Sequence, residues 1–192
     1  VEMMAATNVK EVILTQARGI AQAHGYSGMN FRELADRVGI KPASIYHHFA
    51  SKADLGAAVA KRYWEDAAAN LAAIQAEEED PKASLRRYPE VFRRSLESEN
   101  RLCLGSFMSA EHDDLPEAVM KEVHAFTDVN TAWLSRMLVS AKISSSTVAA
   151  EAKARAIFAS IAGAQLMARS RSDIALFDCL VDAYREAGLL PA

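Results

Sequence analysis

Cysteine is almost missing from this 192-residue chain, and proline and glycine are sparse. The two cysteines, Cys103 and Cys179, show no metal-ligand spacing and set up no disulfide framework, as expected in a reducing compartment. Five prolines and eight glycines, set against 51% hydrophobic residues and frequent alanine, favour helices over a β-sandwich. Eighteen apolar residues nowhere run unbroken, and the N-terminus lacks the charged-then-apolar order of a signal peptide. No membrane association is therefore expected, and the expected location is cytoplasmic. There are no internal repeats and no low-complexity tracts. Ser-His-Asp ordering, a glycine-rich phosphate loop and the Glu-x-x-His pair of di-iron bundles are also missing, so neither an enzyme nor a cofactor is expected. A helical-bundle enzyme stays as an alternative that bound metal or turnover would revive.

The net charge of −3 looks wrong for a nucleic-acid partner until it is divided along the chain. Residues 1–63 hold eight basic groups against five acidic ones, a balance of +3, whereas the remainder holds 14 against 20, a balance of −6. A basic head on an acidic body directs an attractive field at one end only.

The head contains the most informative stretch. Asn30 and Glu33 have the spacing of a capping box, in which Asn30 caps the Glu33 amide and the Glu33 carboxylate reaches back. Phe31, Leu34, Ala35 and Val38 then recur at helical spacing, with Arg32, Glu33, Asp36 and Arg37 turned to water. Gly39 suits the left-handed residue that ends such a helix. After the turn Gly39-Ile40-Lys41, Pro42 fits the first position of a second helix, and Ile45 and Phe49 lie four apart to dock it on the first. Two short helices across a three-residue glycine turn form the shape whose second helix enters a major groove while the first braces it. The outward side of that second helix carries Lys41, Pro42, Ala43, Ser44, Tyr46, His47 and, at its margin, His48. Ser51 and Asp54 make another cap, which puts Lys52 beside a positive helix end where phosphates bind. Singly, a Tyr or Lys here reads as an ordinary surface group; the whole set at this spacing reverses that reading.

Residues 39–55, Gly-Ile-Lys-Pro-Ala-Ser-Ile-Tyr-His-His-Phe-Ala-Ser-Lys-Ala-Asp-Leu, resemble the signature of the tetracycline-repressor (TetR/AcrR) family of transcriptional regulators. The resemblance implies that Pro42, Ala43, Ser44 and Tyr46 face bases or phosphates, that His47 and Lys52 hold the DNA backbone, and that Arg32 contacts DNA from the preceding helix. Lys41 departs from the pattern, standing where the family places a Ser or Thr cap. The expectation is an all-α protein. Residues 1–51 would form a three-helix helix-turn-helix DNA-binding domain. Residues 52–192 would form a helical ligand-binding and dimerisation domain, with 52–76 as the connecting helix.

Breakers elsewhere fall at helix-sized intervals. A first helix is read from Asn8 to His24, apolar at Ile13, Ala17, Ile20 and Ala21 and ended by Gly25. The connecting helix runs through Tyr63, Trp64, Leu71 and Ile74 to the acidic bend Glu77-Glu78-Glu79-Asp80-Pro81. Pro89 interrupts a later helix, Pro116 opens another, and residues 144–147 separate the last long segments. The small residues Ala162-Gly163-Ala164 permit close helix approach. The family resemblance, extending to Tyr184, implies that residues 147–187 form two helices that pair with a second copy as a four-helix bundle, giving a homodimer matched to a two-fold operator on double-stranded DNA.

In the body, Asn100-Arg101-Leu102-Cys103-Leu104-Gly105-Ser106 resembles the Cys-Leu-Leu-Gly motif of one branch of that family, some of whose members sense oxidants or electrophiles through the cysteine. With Asn100 as a cap, Cys103 would lie in a first helical turn, where the helix end and Arg101 favour thiolate. The bland reading is a small buried hydrophobe, the reading also given to Cys179. Phe107, Met108, Phe126, Trp133 and Met137 are the residues expected to line a pocket for an unknown small-molecule effector; each also fits plain core. Glu111-His112-Asp113-Asp114 with His124 has metal-ligand types without a spacing that fixes a geometry, and no metal is assigned. A protein-interaction module that keeps the helix-turn-helix shape without DNA contact is the remaining alternative.

Overall fold

The computed structural model describes residues 2–192, with side chains described from residue 9 onward. Among them the chain forms ten α-helices, one short 3-10 turn and no strand. The helices are α1 (Glu2–His24), α2 (Phe31–Val38), α3 (Pro42–His48), α4 (Lys52–Glu77), α5 (Pro81–Arg87), α6 (Glu90–Glu97), α7 (Leu104–Ala110), α8 (Glu117–Ser140), α9 (Thr147–Arg171) and α10 (Ile174–Glu186); the 3-10 turn is His112–Asp114. The all-α expectation holds, and so does the N-terminal helix-turn-helix followed by a helical C-terminal part. The first helix begins at Glu2 rather than Asn8. Pro81, Pro89 and Pro116 all stand at or just ahead of a helix start, where a missing N–H is harmless.

The chain gathers into two compact units, Val1–Trp64 with Leu104–Ala125, and Glu65–Cys103 with Phe126–Ala192. The first unit is built on Ile13, Ala17, Ile20 and Ala21 of α1, all at most 1% exposed, against Leu34 and Ala35 of α2, Ile45 of α3 and Leu55 of α4. The apolar stripe read for α1 is thus its buried face. Polar ties fasten this unit too. Both Arg62 guanidinium NH2 groups donate to the Glu11 carboxylate at 2.8 Å, the hydrogen bond that holds the Glu11 acid below its ordinary range. Trp64 Nε1 donates to Glu122 Oε2 at 2.7 Å.

The second unit is aromatic at its centre. Tyr88 is fully buried, stacks on Trp133 with ring centres 5.9 Å apart, and donates its hydroxyl to Asn130 Oδ1 at 3.0 Å. Burial, helped by Cys103, pushes the Tyr88 phenol well above its usual range. Gln165, with no exposed surface, ties three segments: its Oε1 accepts the Cys103 amide at 2.9 Å and its Nε2 donates to the Phe92 carbonyl at 2.7 Å. A buried amide side chain is stable only when its donors and acceptors are met in this way.

Candidate nucleic-acid interface

The interface is assembled from caps. Asn30, extended at φ −137° and ψ 147°, accepts the Glu33 N–H on Oδ1 at 2.8 Å. The reciprocal half of the capping box does not form as read. Glu33 instead accepts from the Asn30 side-chain amide at 3.4 Å and from Arg37 at 2.7 and 3.0 Å, because an arginine one turn on offers a stronger, charged donor. Gly39 closes α2 at φ 77°, a left-handed conformation that side chains resist, and its N–H donates to Ala35 at 2.9 Å. Lys41 starts α3 with no side-chain cap bond, and Pro42 follows. The Ser51 hydroxyl accepts the Asp54 N–H at 3.1 Å and donates to the Asp54 carboxylate at 2.8 Å, so the cap read for α4 is present.

Docking decides which face of α3 is left outward. Ile45 is fully buried and Phe49, in extended backbone just past the helix, is 4% exposed. Burying each such side chain is worth about 1.5–3 kcal/mol, ample to orient a helix of two turns. Lys41, Pro42, Ala43, Ser44, Tyr46 and His47 are left exposed, with Arg32 exposed on α2. Tyr46 is 58% exposed, its ring centre 4.6 Å from that of Phe31, which limits where the phenol can swing. Lys10 was not singled out from the sequence. It lies on α1 with its ammonium 5.5 Å from the Phe49 ring centre, beside the end of α3. Only the folded chain could bring it there.

Lys52 is the one expected contact that is half-buried. Its ammonium donates to the Ser27 carbonyl at 3.0 Å and sits 4.7 Å from the Tyr26 ring centre. An ammonium has three donors, and the carbonyl uses one. On the other side of the same turn, the Glu111 carboxylate accepts the Tyr26 and Ser27 amides at 2.6 and 3.0 Å. Glu111 is therefore engaged by backbone, and among the described residues no three His, Cys, Asp or Glu groups gather in a way that could hold a metal ion.

The residues read as sensor and pocket divide between the two units. Phe107, half-buried, and Met108, fully buried, belong to the first; Cys103, Phe126, Trp133 and Met137, each at most 3% exposed, belong to the second. One premise of the thiolate reading fails. Asn100 does not cap a helix; it has φ 54°, and its amide donates to the Arg169 carbonyl at 3.0 Å and Ser172 Oγ at 3.1 Å, leaving α7 to begin at Leu104. Arg101 is ion-paired with Glu99, whose carboxyl it lowers. Cys179 is exposed on α10 rather than core, since α10 buries Phe177 and Val181 instead. Trp133 Nε1 and the Ser84 hydroxyl are buried without a protein partner among the described residues.

Two short helices set across a left-handed glycine, with the second docked by its apolar pair and turned outward, define a helix-turn-helix protein, here carrying a helical C-terminal body. Residues 13–59 match the family model for bacterial regulatory proteins of the tetR family. The HTH-type transcriptional repressor AcnR of Corynebacterium glutamicum is 40% identical over 62 residues, a stretch covering 32% of this chain and only 31% of that relative. A TetR-family transcriptional regulator from Agrobacterium tumefaciens superposes with TM-score 0.88 at 28% identity, over 95% of this chain and 98% of its own. A TetR transcriptional regulator from Legionella pneumophila does so with TM-score 0.86 at 27% identity, over 93% and 96%. Residues 13–59 are thus similar to the DNA-binding segment of tetR-family regulatory proteins, and the chain as a whole is similar in fold to TetR-family regulators.

Proposed function

We propose that the chain is a DNA-binding transcriptional repressor, not an enzyme, working in the cytoplasm as a homodimer on a palindromic operator. The observation that carries this reading is the α3 face, where Lys41, Pro42, Ala43, Ser44, Tyr46 and His47 are all exposed while Ile45 and Phe49 anchor the helix from behind. Small side chains let backbone approach base edges, and Tyr46, His47, Lys52 and Arg32 supply donors for phosphates. In this reading residues 1–51 bind DNA and residues 52–192 bind ligand and dimerise, a functional division separate from the grouping into compact units.

Dimerisation is assigned to residues 147–187. Along α9 a stripe turned from the core is small or apolar, with Ala152, Ala156, Ala159 and Gly163 exposed and Val148, Leu166 and Met167 at 78%, 55% and 48%, while Glu151 and Arg155 are exposed beside it as an ion pair. Such a stripe suits close approach of an identical helix. Release from DNA is assigned to a small apolar molecule held in the second unit by Phe126, Trp133 and Met137, or to a thiol-reactive compound at Cys103. The Trp133 indole N–H, without a protein partner among the described residues, favours a ligand that brings a hydrogen-bond acceptor. Any such effector acts only through unequal affinity for DNA-competent and DNA-incompetent states.

The test is binding of the purified protein to a duplex spanning the region upstream of its own gene, followed across salt concentration. A steep fall of affinity with salt is expected from phosphate contacts; a flat response would overturn the reading. Complete alkylation of Cys103, in a Cys179→Ser background, is expected to release DNA. Full retention of binding after modification would remove the thiol branch.

A further inference from the structure

We propose that Glu111 is a positioning residue for DNA binding: its carboxylate latches the turn between α1 and α2 and thereby sets Lys52 and the start of α2. The proposal rests on the DNA-binding reading above. The turn is made by Gly25, at φ 72°, which aims the next two amides the same way, as in the small anion-holding concavities that successive backbone N–H groups form. Glu111 fills that concavity with bonds of 2.6 Å to Tyr26 and 3.0 Å to Ser27. A Cβ at position 25 would stand 2.5 Å from both Glu111 carboxylate oxygens, so the contact requires glycine there on steric as well as conformational grounds.

The Ser27 residue is gripped from both sides. Its N–H donates to Glu111, while its carbonyl accepts the Lys52 ammonium at 3.0 Å, with that ammonium over the Tyr26 ring. Lys52 opens α4 and is a proposed phosphate contact. The turn runs on through Met29, 2% exposed, into Asn30, the cap of α2. One carboxylate from the 104–125 stretch thus determines where a phosphate-binding cation and the first helix of the helix-turn-helix stand. Glu111 follows directly on α7, whose first residue is the chain neighbour of Cys103. A change that moved α7 would therefore reach Lys52 through two hydrogen bonds.

The sign of the effect separates this latch from ordinary electrostatics. A carboxylate near a DNA face repels phosphate, so removing it should tighten binding; the latch predicts the opposite. Glu111→Ala is expected to weaken binding to the upstream duplex by about tenfold or more, the scale of lost charge-assisted bonds. Glu111→Gln, which keeps one acceptor oxygen, should lose less, and serves alone if the alanine variant does not fold. In either variant the Tyr26 and Ser27 amide hydrogens should exchange faster than in the parent, with the Ile45 amide unchanged. Asp113→Asn, which removes the same charge from an exposed neighbour, should bind as the parent does or slightly more tightly. Unchanged or tighter binding by the Glu111 variants, or unchanged exchange at Tyr26 and Ser27, would overturn the proposal. A parent that fails to bind DNA at all would overturn the functional reading instead, and amide exchange would still decide the latch.

Discussion

The outward faces of α3 and α9 make an instructive pair, because each is the uncovered side of a helix whose other side is fully buried. On α3 the uncovered residues are polar, aromatic or small, next to a basic stretch of chain; on α9 a small and apolar stripe runs beside the exposed Glu151 and Arg155, in the acidic remainder. Exposed tyrosine, serine and histidine beside lysine can exchange water for phosphate and base edges. Exposed valine, leucine and methionine among alanines gain only by meeting another apolar surface. Equal exposure thus has different meanings, and the chemistry of the exposed set is what separates the proposed nucleic-acid face from the proposed self-association face.

The largest effects should come from undercutting each face. Ile45 and Ile161 are both fully buried. Ile45→Ala and Ile161→Ala should each cost about 2–5 kcal/mol of stability in urea titrations. The comparison predicts that the first abolishes DNA binding with self-association intact, and that the second does the reverse; identical phenotypes would dissolve the distinction. Next in size is Gly163→Arg, at a position where an added Cβ meets nothing within 4 Å in its own chain. Sedimentation should then report a monomer, and operator affinity should fall by about a hundredfold as two linked half-site contacts become one. A dimer that persists would move the interface elsewhere.

Smaller effects sharpen the α3 side. Tyr46→Ala should weaken DNA binding by about tenfold with no change in unfolding midpoint, since the ring is mostly exposed. Lys52→Ala should lower the slope of log affinity against log salt by about one. Parent-like binding by both would show the assigned face to be wrong. The smallest effect concerns α10. Arg93 holds Asp178 through bonds of 2.8 and 3.0 Å, and this hydrogen bonding lowers the Asp178 acid below its usual value. A depressed carboxyl contributes stability above its unfolded pKa of about 3.9 and loses it as pH falls through the folded value. Asp178→Asn should therefore narrow the stability difference between pH 6 and pH 3, measured by thermal melts.

What could be read along the chain was what is local in it. The left-handed Gly39, the Asn30 cap, the Ser51 and Asp54 pair and the apolar spacing of Phe31, Leu34 and Ala35 each involve residues within a few positions, so spacing carries their geometry. The half of the capping box that failed did so because Arg37 competes for Glu33, a contest that spacing alone does not decide. Cys103, left open between sensor and buried hydrophobe, is buried, whereas Cys179, read as core, is exposed. The bond from the Cys103 amide to Gln165 crosses 62 positions, and the exposure of Cys179 depends on how α10 rotates against its neighbours.

The sequence by itself therefore determined the helix-turn-helix and those helix ends that carry a local cap, because backbone hydrogen bonding and side-chain period act over one or two turns. Only the tertiary structure decided which carboxylate grips the turn at Tyr26, where Lys52 points, which helix face lacks a cover and how the Trp133 indole came to be buried. Those outcomes depend on through-space packing of segments as far as 85 positions apart, and no periodicity in a chain encodes such a meeting.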